Sequence, residues 1–75
     1  MKTNVSIKFS SIEEYREIEK KLEEIGYVND KGWNERKKNE IGYVYLSEDL
    51  FYTKFKYKDE ESYTYNSLEE FLKDE

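Results

Sequence analysis

Only one stretch of this chain carries a helical apolar stripe long enough to cover a β-sheet, and that limit governs what the rest of the sequence can build. Ile12, Tyr15, Ile18, Leu22 and Ile25 recur at three- and four-residue spacing, so they share one face over about four turns. Ser10 with Glu13 and Ser11 with Glu14 each fit a capping box at its start, in which each side chain satisfies the other residue's free backbone donor. Gly26 ends the helix, because without a Cβ it accepts the left-handed cap. The outer face carries Glu17 and Lys21 at the favourable i, i+4 spacing, with Arg16, Lys20, Glu23 and Glu24, and reads as a solvated surface.

Around this helix the periodicity changes from helical to alternating. Val5, Ile7 and Phe9 alternate with Ser6 and Lys8, the period of a strand with one face buried. Tyr27 and Val28 lead into the turn cluster Asn29-Asp30-Lys31-Gly32 and then Trp33, read as a short strand and a loose hairpin. Residues 34–40 are polar and read as a loop. Over residues 41–46, Ile41, Tyr43 and Tyr45 alternate with Gly42, Val44 and Leu46. Residues 50–58 form the longest strand candidate, with Phe51, Thr53, Phe55 and Tyr57 on one side and Tyr52, Lys54, Lys56 and Lys58 on the other. Tyr63 and Tyr65 mark a last strand, and Ser67 with Glu70 forms a third capping box before a short helix with Leu68, Phe71 and Leu72.

The expected fold is therefore α+β, a single domain over residues 1–75. One antiparallel sheet of about four strands packs on the long helix, with a short C-terminal helix, in the order β-α-β-β-β-α. One helix covers one sheet face, here expected to hold Val5, Ile7, Phe9, Val44, Leu46, Phe51 and Phe55. The opposite face would present Tyr43, Tyr45, Tyr52, Tyr63 or Tyr65 and the row Lys54, Lys56 and Lys58, and a slip of one residue would exchange the two sets.

Leu, Ile, Val and Phe make up only 17 of the 75 residues, just above the range in which charged chains stay unfolded. Thirteen aromatics, eight of them Tyr, compensate in part, since each buries on the order of 150–250 Å². Rings on the second face admit three readings: tyrosine completing a small core, a surface for pairing with an identical chain, or a platform on which bases stack while lysines meet phosphates.

Chemistry is narrowed by what is missing. The sequence contains no Cys and no His, which excludes disulfides, thiolate nucleophiles, zinc fingers and the usual proton shuttle near neutral pH. Neither a metal site nor a cofactor is expected. Tyr, Lys, Ser and carboxylates alone, in a chain too short to enclose a deep cleft, make an enzyme the poorer expectation. No apolar run approaches a membrane span, and the N-terminal residues lack a signal-peptide core, so a cytoplasmic protein is expected.

The formal charge of −5 lies wholly in the second half, because residues 1–40 hold nine cations and nine anions while residues 41–75 hold four and nine. That balance argues against general nucleic-acid binding. Arg36-Lys37-Lys38 is a candidate for contact with a phosphate or an acidic partner, though such runs are commonly solvated loops. Trp33 reads equally as a binding anchor or as a lid on the core beside Tyr27. Asp59-Glu60-Glu61 reads as a solvated turn. AT-rich codon usage, with no Ala or Pro, suggests a bacterial or viral source.

Ser11-x-x-Glu14-Tyr15, Leu22-x-x-x-Gly26-Tyr27, Gly32-Trp33, the Tyr-rich strand pair and Ser67-Leu68-Glu69-Glu70-Phe71-Leu72 together resemble small accessory proteins encoded by phages of low-GC bacteria. The resemblance implies an early viral factor that antagonises a bacterial defence without catalysis, by blocking a defence protein, mimicking DNA or sequestering a nucleotide signal. Its motifs are caps and helix ends, so no functional residue carries over with it.

The leading expectation is sequestration of a nucleotide-type immune signal by a small homo-oligomer in the cytoplasm of the host cell. Trp33, Tyr43, Tyr45, Tyr52 and Tyr65 would stack, and Arg36, Lys54 and Lys56 would hold phosphate. The alternatives are an acidic inhibitor that mimics DNA for a defence nuclease, through Glu48, Asp49, Asp59, Glu60 and Glu61, and a phage structural protein that only dimerises.

Overall fold

In the computed structural model, which describes residues 1–74, strand β1 (Val5–Phe9) buries Ile7 and Phe9 and passes directly into helix α1 (Ile12–Ile25). Of the two overlapping caps, the Ser11 one forms, its Oγ accepting the Glu14 N–H at 3.2 Å. Gly26 closes the helix at a φ of 128°, and the N–H groups of Gly26 and Tyr27 both donate to the Leu22 carbonyl, at 3.0 and 2.9 Å. The chain then forms β2 (Val28–Asn29), a helical turn α2 (Lys31–Asn34), β3 (Gly42–Leu46), β4 (Phe51–Phe55), β5 (Tyr63–Tyr65) and α3 (Leu68–Lys73), which Ser67 caps through the Glu70 N–H at 3.2 Å.

The α+β architecture follows the sequence reading, with two differences in the sheet. Five strands are present among the described residues, in the order β2-β4-β3-β1-β5, and the sheet is mixed. β3 is antiparallel to both β1 and β4, whereas β2 pairs with β4 and β5 with β1 in parallel. A parallel partner requires a connection that runs back along the sheet. Helix α1 supplies one, carrying the chain from β1 to β2 and leaving a gap that the β3–β4 hairpin fills. Residues 31–33, expected as part of a loose hairpin, and Asn34, expected at the start of the loop after it, instead make the turn α2, because β2 pairs in parallel and no hairpin partner follows it.

Residues 56–62 supply the other long connection. They leave β4 at Phe55 and must reach the Val5 end of β1, where Tyr63 pairs. With α1 on one face, they cross the other: Ser62 Oγ lies 3.1 Å from Ser6 Oγ, and Ser6 is 1% exposed. The second face is thus partly covered, not bare.

The register of the hairpin overturns the expected face assignment of β4. The Ser47 N–H donates to the Phe51 carbonyl at 3.0 Å, and Leu50 takes a left-handed φ of 66°, the geometry of a three-residue hairpin loop. Leu46 then pairs with Tyr52 and Val44 with Lys54, so Tyr52 and Lys54 lie on the helix side and Phe51 and Phe55 on the other. The parallel register Ile7 to Tyr65 likewise puts Tyr65, with Tyr63, on the helix side. Strand β4 also ends at Phe55, so Lys56 and Lys58 are exposed loop residues and the expected lysine row does not form.

The core comprises Ile7, Phe9, Tyr15, Ile18, Leu22, Tyr27, Val44, Leu46, Tyr52, Tyr65 and Phe71. Its four tyrosines bury their rings, and three hydroxyls are anchored at its edge: Tyr27 on the Lys2 carbonyl at 2.6 Å, Tyr65 on Asp74 Oδ2 at 2.6 Å, and Tyr52 on Glu23. Tyrosine as core filler accounts for half of the eight.

Beyond its two-residue pairing with β2, the outer edge of β4 is bonded by side chains. Asn34 accepts the Lys54 N–H at 2.7 Å and donates to the Tyr52 carbonyl at 3.0 Å and to Asn29 Oδ1 at 2.7 Å. Trp33 Nε1 donates to the Lys54 carbonyl at 2.8 Å. At the far end of the hairpin Gly42, with a φ of 153°, lets β3 approach Phe55 so closely that a Cβ would lie 2.2 Å from its carbonyl oxygen. Among the described residues no helix is long and apolar enough to cross a membrane.

Candidate functional site

Strand pairing assembles a line of aromatic rings on the face away from α1. Lys8 of β1 lies opposite Tyr43 of β3, and Tyr43 lies opposite Phe55 of β4. The Trp33 ring then packs on Phe55, with centroids 5.5 Å apart at 52°. At the outer end Lys37 Nζ sits 4.3 Å and the Arg36 guanidinium 5.9 Å from the Trp33 ring. Neighbouring strands are about 4.8 Å apart, so three aromatic side chains span a width comparable to one or two nucleobases, with a cation at either end.

A second row behind this line fixes its orientation. Tyr45 meets Phe55 edge-on at 6.3 Å, and its hydroxyl donates to Asn4 Oδ1 at 2.6 Å. Burial raises the pKa of Tyr45, and the carboxylates of Asp59 and Glu48 add to the effect. The face therefore has an acidic side, where the crossing segment and the β3–β4 turn lie, and a basic side at the start of β3.

The basic side contains two shallow grooves that share Ile41 and Lys56. One, of about 570 Å³, runs among Arg36, Lys37, Lys38 and Ile41; the other, of about 350 Å³, lies between Lys8, Tyr43 and Lys56. Ile41 is left exposed there. Five cations around a strip of apolar surface can meet phosphate oxygens, while the ring line offers π-faces to a base.

Of the residues singled out from sequence, Trp33, Arg36, Tyr43, Tyr45 and Lys56 are brought to this one surface. Tyr52, Lys54 and Tyr65 are not. Tyr52 is buried beneath α1, where burial and the hydrogen bond to Glu23 push its pKa well up. Tyr65 lies toward the opposite edge of the sheet, its pKa raised to about 12 by the hydrogen bond to Asp74 and by burial. Lys54 points to the helix side, its ammonium 4.4 Å from the Tyr15 ring. Lys37, from the run Arg36-Lys37-Lys38, does join the surface, as do Phe55 and Lys8, which were not singled out. Alternation already put Lys8 on the outward side of β1; its place beside Tyr43 depends on a pairing over a sequence separation that periodicity does not reach.

Among the described residues no group of three His, Cys, Asp or Glu side chains is placed to hold a metal ion. Comparison with protein-family models, with curated proteins and with solved structures finds no match to this chain.

Proposed function

We propose that this chain is a non-catalytic binding protein whose open sheet face takes a nucleotide-type ligand. The base would lie on the Tyr43–Phe55–Trp33 line, with phosphates among Lys8, Lys56 and the cations of residues 36–38. The observation that carries the reading is the cross-strand alignment of Tyr43 with Phe55, and the Trp33 ring packed on Phe55, between cations at both ends. A surface so open, without Cys or His, suits retention of a ligand better than its turnover, which favours sequestration. The setting we infer is that of a viral accessory protein that withdraws a nucleotide immune signal from a bacterial defence, as a small homo-oligomer in the host cytoplasm.

Trp33 is the single tryptophan of the chain, so stacking on it is read directly as fluorescence quenching. Titration with a panel of cyclic nucleotides and short single-stranded oligonucleotides, paired with calorimetry, tests the proposal. Saturable quenching that Tyr43→Ala and Lys56→Ala each weaken by about tenfold, or about 1.4 kcal/mol, is expected; silence across the panel overturns it.

A second reading rests on the exposure of Glu48, Asp49, Asp59, Glu60 and Glu61, all five of which face solvent. In it the acidic side of the face imitates DNA phosphates for a defence nuclease. Neutralising the five acids would abolish inhibition of that nuclease under this reading and leave nucleotide binding intact under the first.

A further inference from the structure

We propose a second binding site on the helix side of the sheet, where Lys54 anchors the phosphate group of a small molecule. Lys54 is 6% exposed, the one charged side chain among the buried residues described, and its cross-strand neighbour is Val44. Its ammonium rests near the Tyr15 ring but takes part in no ion pair or side-chain hydrogen bond; the two ion pairs among the described residues, Lys21–Glu24 and Lys73–Glu69, are on exposed helix surfaces. A lysine set this deeply normally pairs its charge with an anion of its own. A core position between a valine and a helix is filled as well by Leu or Met, so packing gives no reason for an ammonium.

What the ammonium does face is open space. Two adjoining clefts, of about 240 and 530 Å³, meet between α1 and residues 34–40, and Ile12, Asn34, Glu35 and Lys54 line both. Arg16 borders the first, and Lys37 and Lys38 border the second. Burial lowers the Lys54 pKa, Lys38 and Arg16 lower it further, and Glu19 acts in the opposite sense. Cations thus converge on one space from α1, from β4 and from the loop.

The class of ligand follows from the lining. Asn34 is already committed to the β4 backbone and to Asn29, so the available donors are the cations, with the Asn29 amide and the Tyr15 hydroxyl beside them. Glu19, Glu35 and Glu40 also border the clefts, which leaves too small a cationic excess for a polyphosphate but suits a single phosphate. A phosphate presents three acceptor oxygens to donors arriving from three elements, whereas a carboxylate offers two in one plane. Ile12 and the Tyr15 ring provide an apolar wall for the organic remainder of a monoester. What separates this site from the open face is Lys54, whose side chain leaves β4 on the side opposite Phe55, while Lys37, Lys38, Asn39 and Glu40 border both.

The test titrates the full chain with inorganic phosphate, phenyl phosphate and acetate while following the side-chain NMR signals of the lysines. Saturable movement of the Lys54 signal with both phosphates but not with acetate is expected. Lys54→Met should weaken phosphate binding by at least about tenfold, and Tyr43→Ala should leave it unchanged, which separates this site from the open face. A Lys54 signal that stays still, binding retained by Lys54→Met, or an equal response to acetate overturns the proposal. Should Lys54→Met not fold, the Lys54 signal of the native chain decides alone.

Discussion

The carboxamide of Asn34 accepts from the Lys54 N–H and donates to the Tyr52 carbonyl, so one side chain does for β4 what a paired strand does elsewhere in the sheet. Removing it leaves a buried amide N–H without a partner, at a cost of about 1–3 kcal/mol. A chain of this size holds only about 4–11 kcal/mol in total. Asn34→Ala is therefore expected to lower the thermal midpoint by roughly 4–24 °C, at about 4–8 °C per kcal/mol for a small domain, as calorimetry or circular dichroism would measure. Asn34→Asp keeps the acceptor for Lys54 but loses the donor, and should fall between the two. Nothing in the sequence marked Asn34 for this role. It stands in a polar run, and only the two-residue length of β2, set by where the chain turns into α2, leaves an edge for it to complete.

At the scale of elements, the start of α1 distinguishes two caps that the sequence offered side by side. Ser11 makes the bond to the Glu14 N–H, so Ser11→Ala should cost about 1 kcal/mol and Ser10→Ala close to nothing, in matched urea unfolding curves. Helix ends were legible because a cap is chemistry within four residues. Strand faces were legible only by half. Alternation correctly separated Phe51, Thr53 and Phe55 from Tyr52 and Lys54, but a two-fold pattern has no sign. The side that meets α1 is set by the loop between β3 and β4, whose left-handed Leu50 gives no such signal in the sequence, since the third position of this loop is usually glycine. The same reason explains the mixed outcome for the proposed surface. Tyr43 and Tyr45 lie where expected because β3 follows the hydrophobic phase of Val44 and Leu46, whereas Tyr65 depended on whether β5 would run parallel to β1.

For the molecule as a whole, the tyrosines couple the fold to alkaline pH. Tyr65 has its pKa raised from 10.0 to about 12 by Asp74 and by burial. Tyr15 and Tyr52 are also raised, by burial first and then by the acidic side chains of Glu19 and Glu23 on α1. Each holds its proton more tightly folded than unfolded. The stability each contributes is complete below about pH 10 and is withdrawn at higher pH, in the case of Tyr65 as pH climbs through about 12. Base titration should give a cooperative rise in tyrosinate absorbance that coincides with the loss of far-ultraviolet circular dichroism. A smooth rise with the fold intact would contradict the burial of these rings.

The closure of the sheet's margins also bears on how copies of the chain meet at high concentration. Its outer strands are two and three residues long, and past β2 the free edge of β4 is bonded by Asn34 and Trp33. Such margins give an incoming strand almost no row of free donors and acceptors to extend. Growth into fibrils by edge-to-edge addition is blocked at both sides, so any association between copies is directed to the faces.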